Sequence, residues 1–418
     1  MVRSVGRDAA SAGRGGAWRQ VLILSVTETL SWGVLYYAFA VFLTPMSADL
    51  GWSQAHLTGA FSVALLVSGL AAVPVGRWLD RHGARGLMTA GSCLSSGLVL
   101  AWAGVENLPL FYLIWVGIGL AMAAVLYEPA LATVASLFPE ARERGRALTL
   151  LTFVAGFASV IFLPLSGWLV RSQGWREALL YLALILGVGT IPLHWLGLRE
   201  RRVVSRPVAA AGAGWTVREA LRCGAFWWLS GAFVLAMIAL VAVTVHLIPL
   251  LLARGFSATF ATTAAGLIGL MALPGRLLFT PLGSVLPRHK VTAAMFALQA
   301  LSLVVLVGAE SEWRVLLFVV LFGASFGAVT PARAALVAER FGTVAYGGIS
   351  GVLALLLTVA RASAPVGASG LAAWWGGYTA VLWTLVVLSA LAAAAILMVA
   401  RDSGPRSEPE ISPLAGRR

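Results

Sequence analysis

Charged residues, lysine and cysteine are all scarce in this 418-residue chain. Only 11% of its residues are charged, whereas a soluble globular protein carries about 25%, so the composition excludes an ordinary soluble domain. Lys290 is the only lysine. The two cysteines, Cys93 and Cys223, lie far apart in the sequence, which argues against a disulfide framework and against a cysteine metal site.

Hydrophobic residues, in contrast, make up 60% of the chain, and 30 Lys and Arg residues outnumber 17 Asp and Glu residues. A net charge of +13 can indicate nucleic-acid binding when a soluble domain carries the basic patch. No segment between the apolar runs is long enough to fold into such a domain. We therefore expect a membrane protein with no nucleic-acid partner.

Uncharged apolar runs recur along the whole chain. A helix that crosses roughly 30 Å of hydrocarbon needs about 20 mainly apolar residues, and twelve segments meet this requirement. The predicted spans are 20–46, 54–78, 86–105, 108–137, 146–170, 177–198, 225–253, 258–285, 291–309, 313–338, 344–371 and 377–400. The fold class predicted from this pattern is an all-α integral membrane protein with twelve transmembrane helices.

The basic residues indicate the side on which each loop lies. Short loops rich in arginine stay in the cytoplasm, and arginine clusters fall in alternate loops, such as 77–85, 142–146 and 199–206. This alternation predicts that both termini are cytoplasmic. The preference for arginine over lysine and the abundance of alanine are typical of a GC-rich genome, so we expect a bacterial inner (cytoplasmic) membrane.

A polar segment divides the spans into two sets of six. The predicted organisation is a cytoplasmic tail (1–19), a six-helix bundle (20–198), a cytoplasmic linker (199–224), a second six-helix bundle (225–400) and a second tail (401–418). Short motifs recur between the halves: Tyr127-Glu128-Pro129-Ala130 matches Val329-Thr330-Pro331-Ala332, and Gly51-Trp52-Ser53 matches Gly255-Phe256-Ser257. A parallel repeat of this kind predicts a binding site near mid-membrane, between the halves.

The loop after the second span reads Gly76-Arg77-Trp78-Leu79-Asp80-Arg81-His82-Gly83-Ala84-Arg85. Gly76 allows close helix packing, and Gly83 permits a tight turn. Asp80, together with Arg81 and Arg85, can form a latch that breaks when two halves of a protein rock. The alternative, a solvated basic loop that only sets topology, does not require an aspartate at this place.

With this loop and two sets of six spans, the chain resembles the major facilitator superfamily, whose corresponding loop carries G-x-x-x-D-R-x-G-x-R/K. The resemblance implies two pseudo-symmetric six-helix bundles and a central pathway lined by spans 1, 4, 7 and 10. Within the superfamily the first half is most similar to the monocarboxylate and oxalate–formate branch. The motifs that carry this similarity are Leu50-Gly51-Trp52-Ser53, Glu128-Pro129-Ala130-Leu131, Phe138 with Arg142 to Arg146, and Gly174-Trp175-Arg176.

Two arginines extend this resemblance into the second half. Arg276 in span 8 matches the arginine that these relatives use for a substrate carboxylate. Arg361 in span 11 stands where the oxalate–formate carriers place a second basic residue. Two features depart from the pattern, because Ala272 replaces the aspartate of animal monocarboxylate carriers and their span-1 lysine has no counterpart.

Charged side chains inside the predicted spans are candidates for function. At mid-bilayer such a side chain costs at least about 2.5 kcal/mol, so each needs a partner, a cavity or a role. Arg276 and Arg361 form the candidate substrate site, because two planar guanidiniums that face one cavity suit a carboxylate. Alternatively, each arginine pairs with Glu28 or Glu128 and locks the two halves together. Three arginines and two glutamates leave a net positive charge within the spans, which favours an anionic cargo.

The sequence leaves more than one role possible for the remaining polar residues of the spans. Glu128, beside Pro129, is the first candidate for proton coupling and Glu28 the second, with a permanent ion pair as the alternative for each. Arg333 lies deep in span 10, where Glu339 or loop carbonyls could satisfy it. The candidate aromatic residues of the pocket are Trp32, Tyr36, Tyr37 and Tyr127, whose rings are apolar and whose hydroxyls, in the tyrosines, can bond a carboxylate. His246 lies near the end of span 7 and is more typical of an interfacial histidine.

These features predict a secondary active transporter that moves a small mono- or dicarboxylate by alternating access, with protons or by anion exchange. The alternative is a proton-driven exporter of amphipathic drugs or other apolar solutes, in which the arginines are structural. An enzyme is not expected because no acid–base or metal-ligand cluster is apparent, and a sensor would need an effector domain. We expect no cofactor or metal. The expected partners are an anionic substrate, protons and lipid. The chain is expected to act as a monomer.

Overall fold

The computed structural model describes residues 2–199, 215–375 and 377–400, and within these ranges it contains helices and no strand. The helices are α1 Val2–Trp32, α2 Phe39–Leu50, α3 Gln54–His82, α4 Ala84–Ala103, α5 Leu108–Val125, α6 Tyr127–Leu137, α7 Ala141–Ala155, α8 Ala158–Gln173, α9 Trp175–Gly197, α10 Val217–Arg222, α11 Gly224–Ala253, α12 Ala258–Val285, α13 Arg288–Val307, α14 Glu312–Phe341, α15 Tyr346–Trp375 and α16 Tyr378–Val399. A π-helical turn, Gly33–Tyr37, joins α1 to α2.

Twelve helical segments are long and apolar enough to cross a membrane, which confirms the predicted number. Three of them combine two helices: α1 with α2, α5 with α6, and α7 with α8. The predicted N-terminal tail, 1–19, is helical from Val2 onward, and its cytoplasmic position stays a prediction. Residues 200–214 of the predicted linker and the predicted tail 401–418 lie outside the described residues.

The loop between the first two spans of each half has the same geometry, as the sequence repeat predicts. Gly51 and Gly255 both adopt positive φ angles, 68° and 85°, which a residue without a Cβ reaches at little cost. Ser53 and Ser257 then cap the next helix, and each hydroxyl accepts a hydrogen bond from a backbone N–H three residues later at 3.2 Å. The repeat therefore encodes the same turn and the same helix start twice.

Proline breaks the fourth span near its middle. Pro129 has no N–H, and its ring would collide with the carbonyl of Val125, four residues earlier. Accordingly α5 ends at Val125, Leu126 is extended (φ −88°, ψ −165°), and α6 begins at Tyr127. The break places the first turn of a new helix inside the membrane.

Spans 1–6 form the first bundle and spans 7–12 the second. Because the number of crossings is even, the first span begins and the last span ends on the same side of the membrane. We call this side the terminal side and the opposite side the far side.

The first bundle meets the second most extensively where α3 packs on α15. Small residues allow that contact, because a Cβ on Gly76 would overlap the Gly347 carbonyl and a Cβ on Gly351 would meet the Ala72 carbonyl at 2.5 Å.

These close approaches lie in the terminal halves of α3 and α15. In the far half of α15, by contrast, no described heavy atom lies within 4 Å of where a Cβ on Gly367 or Gly370 would stand. The side chain of Arg361, between the two regions, is exposed. The bundles are thus packed closely together on the terminal side.

Candidate functional site

The π-helical turn of the first span carries two of the predicted pocket residues. Such turns occur frequently at functional sites. Tyr36 and Tyr37 lie at its end, and both side chains are half-buried. Gly33 starts the turn, and a Cβ there would overlap the ring of Phe162. A larger residue at this position would push α1 away from α8 and move both tyrosines.

The four predicted aromatic residues form one continuous wall on the first bundle. The ring centroids of Trp32 and Tyr127 are 5.0 Å apart, those of Trp32 and Tyr36 are 5.2 Å apart, and those of Tyr36 and Tyr37 are 5.2 Å apart. These separations are typical of favourable aromatic pairs. The structure therefore brings together side chains that are almost a hundred residues apart in sequence.

Glu28 lies one helical turn before Trp32 and is fully buried. Its Oε2 accepts a hydrogen bond from Trp32 Nε1 at 3.0 Å. Its Oε1 is also buried and has no hydrogen-bond partner among the described residues. An ionised carboxylate in such a place is costly without a cation.

Glu128 is the second residue of α6, where the helix N-terminus favours negative charge. Its Oε1 lies 2.6 Å from Nη2 of Arg333. The sequence analysis placed Arg333 near Glu339 or loop carbonyls, and the structure corrects this, because Glu339 lies 3.6 Å from Arg288 instead. Six residues separate positions 333 and 339, so they point about 120° apart around the α14 axis.

Arg276 extends from the second bundle onto the first. Its Nη1 donates to the backbone carbonyl of Thr152 in α7 at 2.6 Å, while its Nε is buried and has no partner among the described residues. Its charge interacts with Tyr37 and Tyr127 of the aromatic wall. One predicted substrate-binding arginine thus lies within electrostatic range of two predicted pocket tyrosines.

Arg361 approaches the same wall from α15. Its charge interacts with Tyr36, Glu128 and Arg333. Four residues later Pro365 lies inside the continuous helix, and because proline has no N–H the Arg361 carbonyl loses its usual intrahelical donor. Arg361 therefore lies one turn before Pro365, at a point of α15 where one backbone hydrogen bond is missing.

Five hydrogen bonds between described residues of the two bundles share one direction. Arg276, Arg333 and Arg288 of the second bundle donate to Thr152, Glu128 and the Ala141 carbonyl of the first bundle, respectively. The backbone N–H groups of Gly347 and Gly348 also donate to Asp80, at 2.9 and 2.8 Å. The second bundle supplies the donors and the first bundle supplies the acceptors in all five bonds.

The residues of the predicted gating loop have separate positions. Asp80 binds the N-terminus of α15 on the opposite bundle, and Gly76 packs beside it. Gly83 has a φ of 81° at the turn between α3 and α4. Arg85 stacks on Trp195 of the same bundle, with its guanidinium carbon 4.4 Å from the ring centroid, whereas the side chain of Arg81 is exposed.

Sequence reasoning did not identify Thr152, Gly156 or Tyr346 as parts of this region. A Cβ on Gly156 would overlap Nη1 of Arg276, so the glycine makes room for the guanidinium. Tyr346 is buried, and its ring lies close enough to Arg333 and Glu128 for electrostatic interaction. No local pattern marks a glycine or a backbone carbonyl in an apolar run, so only the packing of the bundles reveals them.

His246 of α11 belongs to a different contact. Its two ring nitrogens lie 3.3 Å from the Tyr378 hydroxyl and 3.1 Å from the Pro365 carbonyl. These partners are in α16 and α15, so the histidine ties together helices of the second bundle. It holds the segment of α15 that follows Arg361.

Comparison with known proteins shows the family to which this chain belongs. The sequence profile described as Major Facilitator Superfamily matches residues 21–365. The chain is 27% identical over 340 residues to monocarboxylate transporter 13 of Rattus norvegicus, a match that covers 78% of this chain and 76% of that protein. It is 24% identical over 221 residues to the oxalate:formate antiporter of Oxalobacter formigenes, with 52% of each chain covered.

Solved structures agree on the fold. FucP, a Major Facilitator Superfamily transporter captured in the outward conformation, matches with a TM-score of 0.72 at 18% identity, over 91% of this chain and 97% of that one. Identity at this level supports the fold and not the substrate. The predicted twelve-helix fold and the predicted resemblance are confirmed, and the chain belongs to the Major Facilitator Superfamily, a family of membrane transporters and not of enzymes.

Proposed function

We propose that this protein is a secondary active transporter that moves a small organic anion, a mono- or dicarboxylate, by alternating access. The observation that carries the proposal is the placement of Arg276 and Arg361. Both extend from the second bundle towards the aromatic wall of the first, and neither forms an ion pair with a described carboxylate. Two guanidiniums with unused donors beside aromatic rings form a receptor for a carboxylate with a compact body.

The charge balance of the cavity supports an anion. Arg333 is neutralised by Glu128, and Glu28 is buried behind Trp32. Arg361 and Arg276, which form no ion pair with a described carboxylate, are left to bind a ligand. A monocarboxylate would engage one of them fully, whereas a dicarboxylate could engage both. The names of two relatives, a monocarboxylate transporter and an oxalate:formate antiporter, agree with this cargo class.

The proposed cycle uses the two glutamates for coupling. Glu28 has no cation partner in the described structure and is the better placed of the two to bind a proton in this state, whereas Glu128 is held by Arg333. Exchange of one anion for another is the alternative form of coupling. We further propose that the termini are cytoplasmic, in a bacterial inner membrane, and that the chain works as a monomer; the far side is then the outer side.

A ligand panel tests the cargo class. The purified protein is heated with small mono- and dicarboxylates, amino acids, sugars and lipophilic cations. A ligand that binds only the folded protein, at a hundred times its dissociation constant, adds about 2.7 kcal/mol to the free energy of unfolding. We expect carboxylates to raise the melting temperature. If lipophilic compounds alone raise it, the anion proposal fails and an exporter of apolar solutes takes its place.

Gly156 gives a second test, because it determines where Arg276 can lie. In Gly156→Ala the new methyl group would overlap the guanidinium of Arg276, and a displacement of this size can weaken carboxylate binding by about tenfold or more. The matched control is Gly266→Ala in α12, where no described heavy atom lies within 4 Å of the new Cβ. Binding is measured by titration of the thermal shift.

A double-variant cycle separates positioning of Arg276 from a general packing defect. If Gly156 acts through Arg276, the alanine substitution has no further effect on binding once Arg276→Ala has removed the guanidinium. An equal loss in both backgrounds would show that Gly156 acts through packing alone. The melting temperature without ligand, recorded for each variant, reports the packing contribution separately.

A further inference from the structure

His246 of the seventh span is bonded to the eleventh span one turn after Arg361. Its Nε2 lies 3.1 Å from the Pro365 carbonyl oxygen and 3.3 Å from the Ser369 hydroxyl, and its Nδ1 lies 3.3 Å from the Tyr378 hydroxyl. A carbonyl oxygen can only accept, so Nε2 carries the proton and donates, and Nδ1 of the neutral ring accepts from Tyr378. One tautomer satisfies all three contacts, and we call this arrangement the His246 clamp.

The clamp lies where one backbone hydrogen bond of α15 is missing. The helix runs from Tyr346 to Trp375 without a break, yet it contains Pro365, whose nitrogen has no hydrogen. The Arg361 carbonyl consequently lacks the donor that joins one helical turn to the next. Helices bend most readily at such a point, so contacts with other helices have to fix the direction of α15 around Arg361.

Different helices hold α15 on the two sides of this point. On the terminal side of it, α15 packs closely on α3: a Cβ on Gly351 would meet the Ala72 carbonyl at 2.5 Å, and one on Gly69 would overlap the Thr358 side chain. On the far side of it, no described heavy atom lies within 4 Å of where a Cβ on Gly367 would stand. There the clamp supplies polar contacts from α11 and α16.

The His246 ring has no polar alternative on its other side. A small cavity between α11, α13 and α16 is lined, apart from His246 and Tyr378, by apolar side chains such as Leu247, Leu306 and Leu382. An imidazole turned away from α15 would lose its hydrogen bonds and gain none from these side chains, which is unfavourable. The surroundings of the ring therefore favour the clamp.

We propose that His246 is a positioning residue for Arg361: the clamp fixes the direction of α15 at the missing hydrogen bond and thereby determines how tightly the protein binds a carboxylate. This role rests on the proposed function, in which Arg361 binds the cargo. A guanidinium forms two parallel hydrogen bonds with a carboxylate in one geometry, and a displacement of about 1 Å is enough to weaken them. His246 acts through the backbone of α15 and not on the cargo.

Two substitutions of similar size separate the hydrogen bond from the bulk of the ring. In His246→Gln an amide N–H can still donate to the Pro365 carbonyl, whereas in His246→Leu no group can. Thermal-shift titrations of the purified full-length protein with formate, lactate, oxalate and succinate give the dissociation constants. We expect His246→Leu to bind about tenfold or more weakly, and His246→Gln to bind nearly as the parent does.

Pro365→Ala tests the mechanism, because alanine restores an N–H for the Arg361 carbonyl. In this background α15 no longer depends on the clamp, so the addition of His246→Leu should have little further effect on binding. The control is Gln299→Leu, which removes a 3.1 Å bond to the Ala236 carbonyl between α13 and α11. It should leave the dissociation constant unchanged.

Hydrogen exchange reports on the clamp without any cargo. Backbone amides within residues 359–372 should exchange about tenfold faster or more in His246→Leu than in the parent or in His246→Gln, because that segment opens more often. The inference is overturned if His246→Leu binds carboxylate as the parent does, or if its loss of affinity is the same with and without Pro365→Ala. If none of the four carboxylates stabilises the parent, the proposed function fails together with this role, which distinguishes that outcome from a failure of the clamp alone.

Discussion

Replacing Arg361 by alanine is expected to weaken carboxylate binding roughly a hundredfold and to abolish uptake at ordinary substrate concentrations. A hydrogen-bonded charge pair contributes about 1.5–3 kcal/mol, and each 1.4 kcal/mol corresponds to about tenfold in affinity. Arg361 has an exposed side chain and no described ion-pair partner, so its removal costs the ligand a contact and leaves no buried carboxylate behind. Uptake of labelled carboxylate into proteoliposomes measures the effect.

Two further variants serve as comparisons for Arg361→Ala. Arg361→Lys keeps the charge but not the planar, bidentate geometry, so intermediate binding is expected. Arg314→Ala removes an exposed arginine that stacks on Trp313 and donates to the Gly308 carbonyl, away from the cavity, and should bind and transport as the parent does. Normal uptake by Arg361→Ala would contradict the proposed substrate site.

The second large effect is expected for Glu28→Gln. Glutamine keeps the size of the side chain and can still accept the hydrogen bond from Trp32 Nε1, but it cannot bind or release a proton. We expect uptake driven by a pH gradient to fall to the level seen without the gradient. Carboxylate binding, measured by the thermal shift, should remain, because Glu28 is fully buried behind the aromatic wall.

Anion exchange across the same membranes separates coupling from transport. If Glu28 carries the proton, Glu28→Gln should still exchange external for internal carboxylate while losing net proton-driven uptake. Glu106→Gln, which changes an exposed glutamate between α4 and α5, is the control and should do both. Retention of full pH-driven uptake in Glu28→Gln would assign the proton to another group, and Glu128 is then the next to test.

Much of the architecture could be predicted because the bilayer imposes a simple rule on the chain. A spanning helix must satisfy its own backbone and needs a long apolar run, so each span is visible as an uncharged stretch. The turns at Gly51 and Gly255 were predictable for a related reason, since a left-handed glycine and a capping serine are local features that recur at a constant offset.

Candidate residues for the proposed site could also be chosen from the sequence. Charges such as Glu28, Arg276 and Arg361 are conspicuous in spans that otherwise lack them, and the cost of keeping a charge in lipid makes each a candidate for function. The aromatic wall was inferred from side chains in the same two spans. Which charges pair was not predictable, because that depends on how helices far apart in sequence rotate and approach one another.

The sequence by itself therefore determined the number of spans, the family and the candidate residues, since these follow from local composition and short motifs. Only the tertiary structure decided that Arg333 pairs with Glu128, that Arg276 rests on the Thr152 carbonyl beside Gly156, and that the bundles close on the terminal side. The physical reason is that these contacts join two separately folded bundles. Their geometry depends on distances and rotations that no local pattern records.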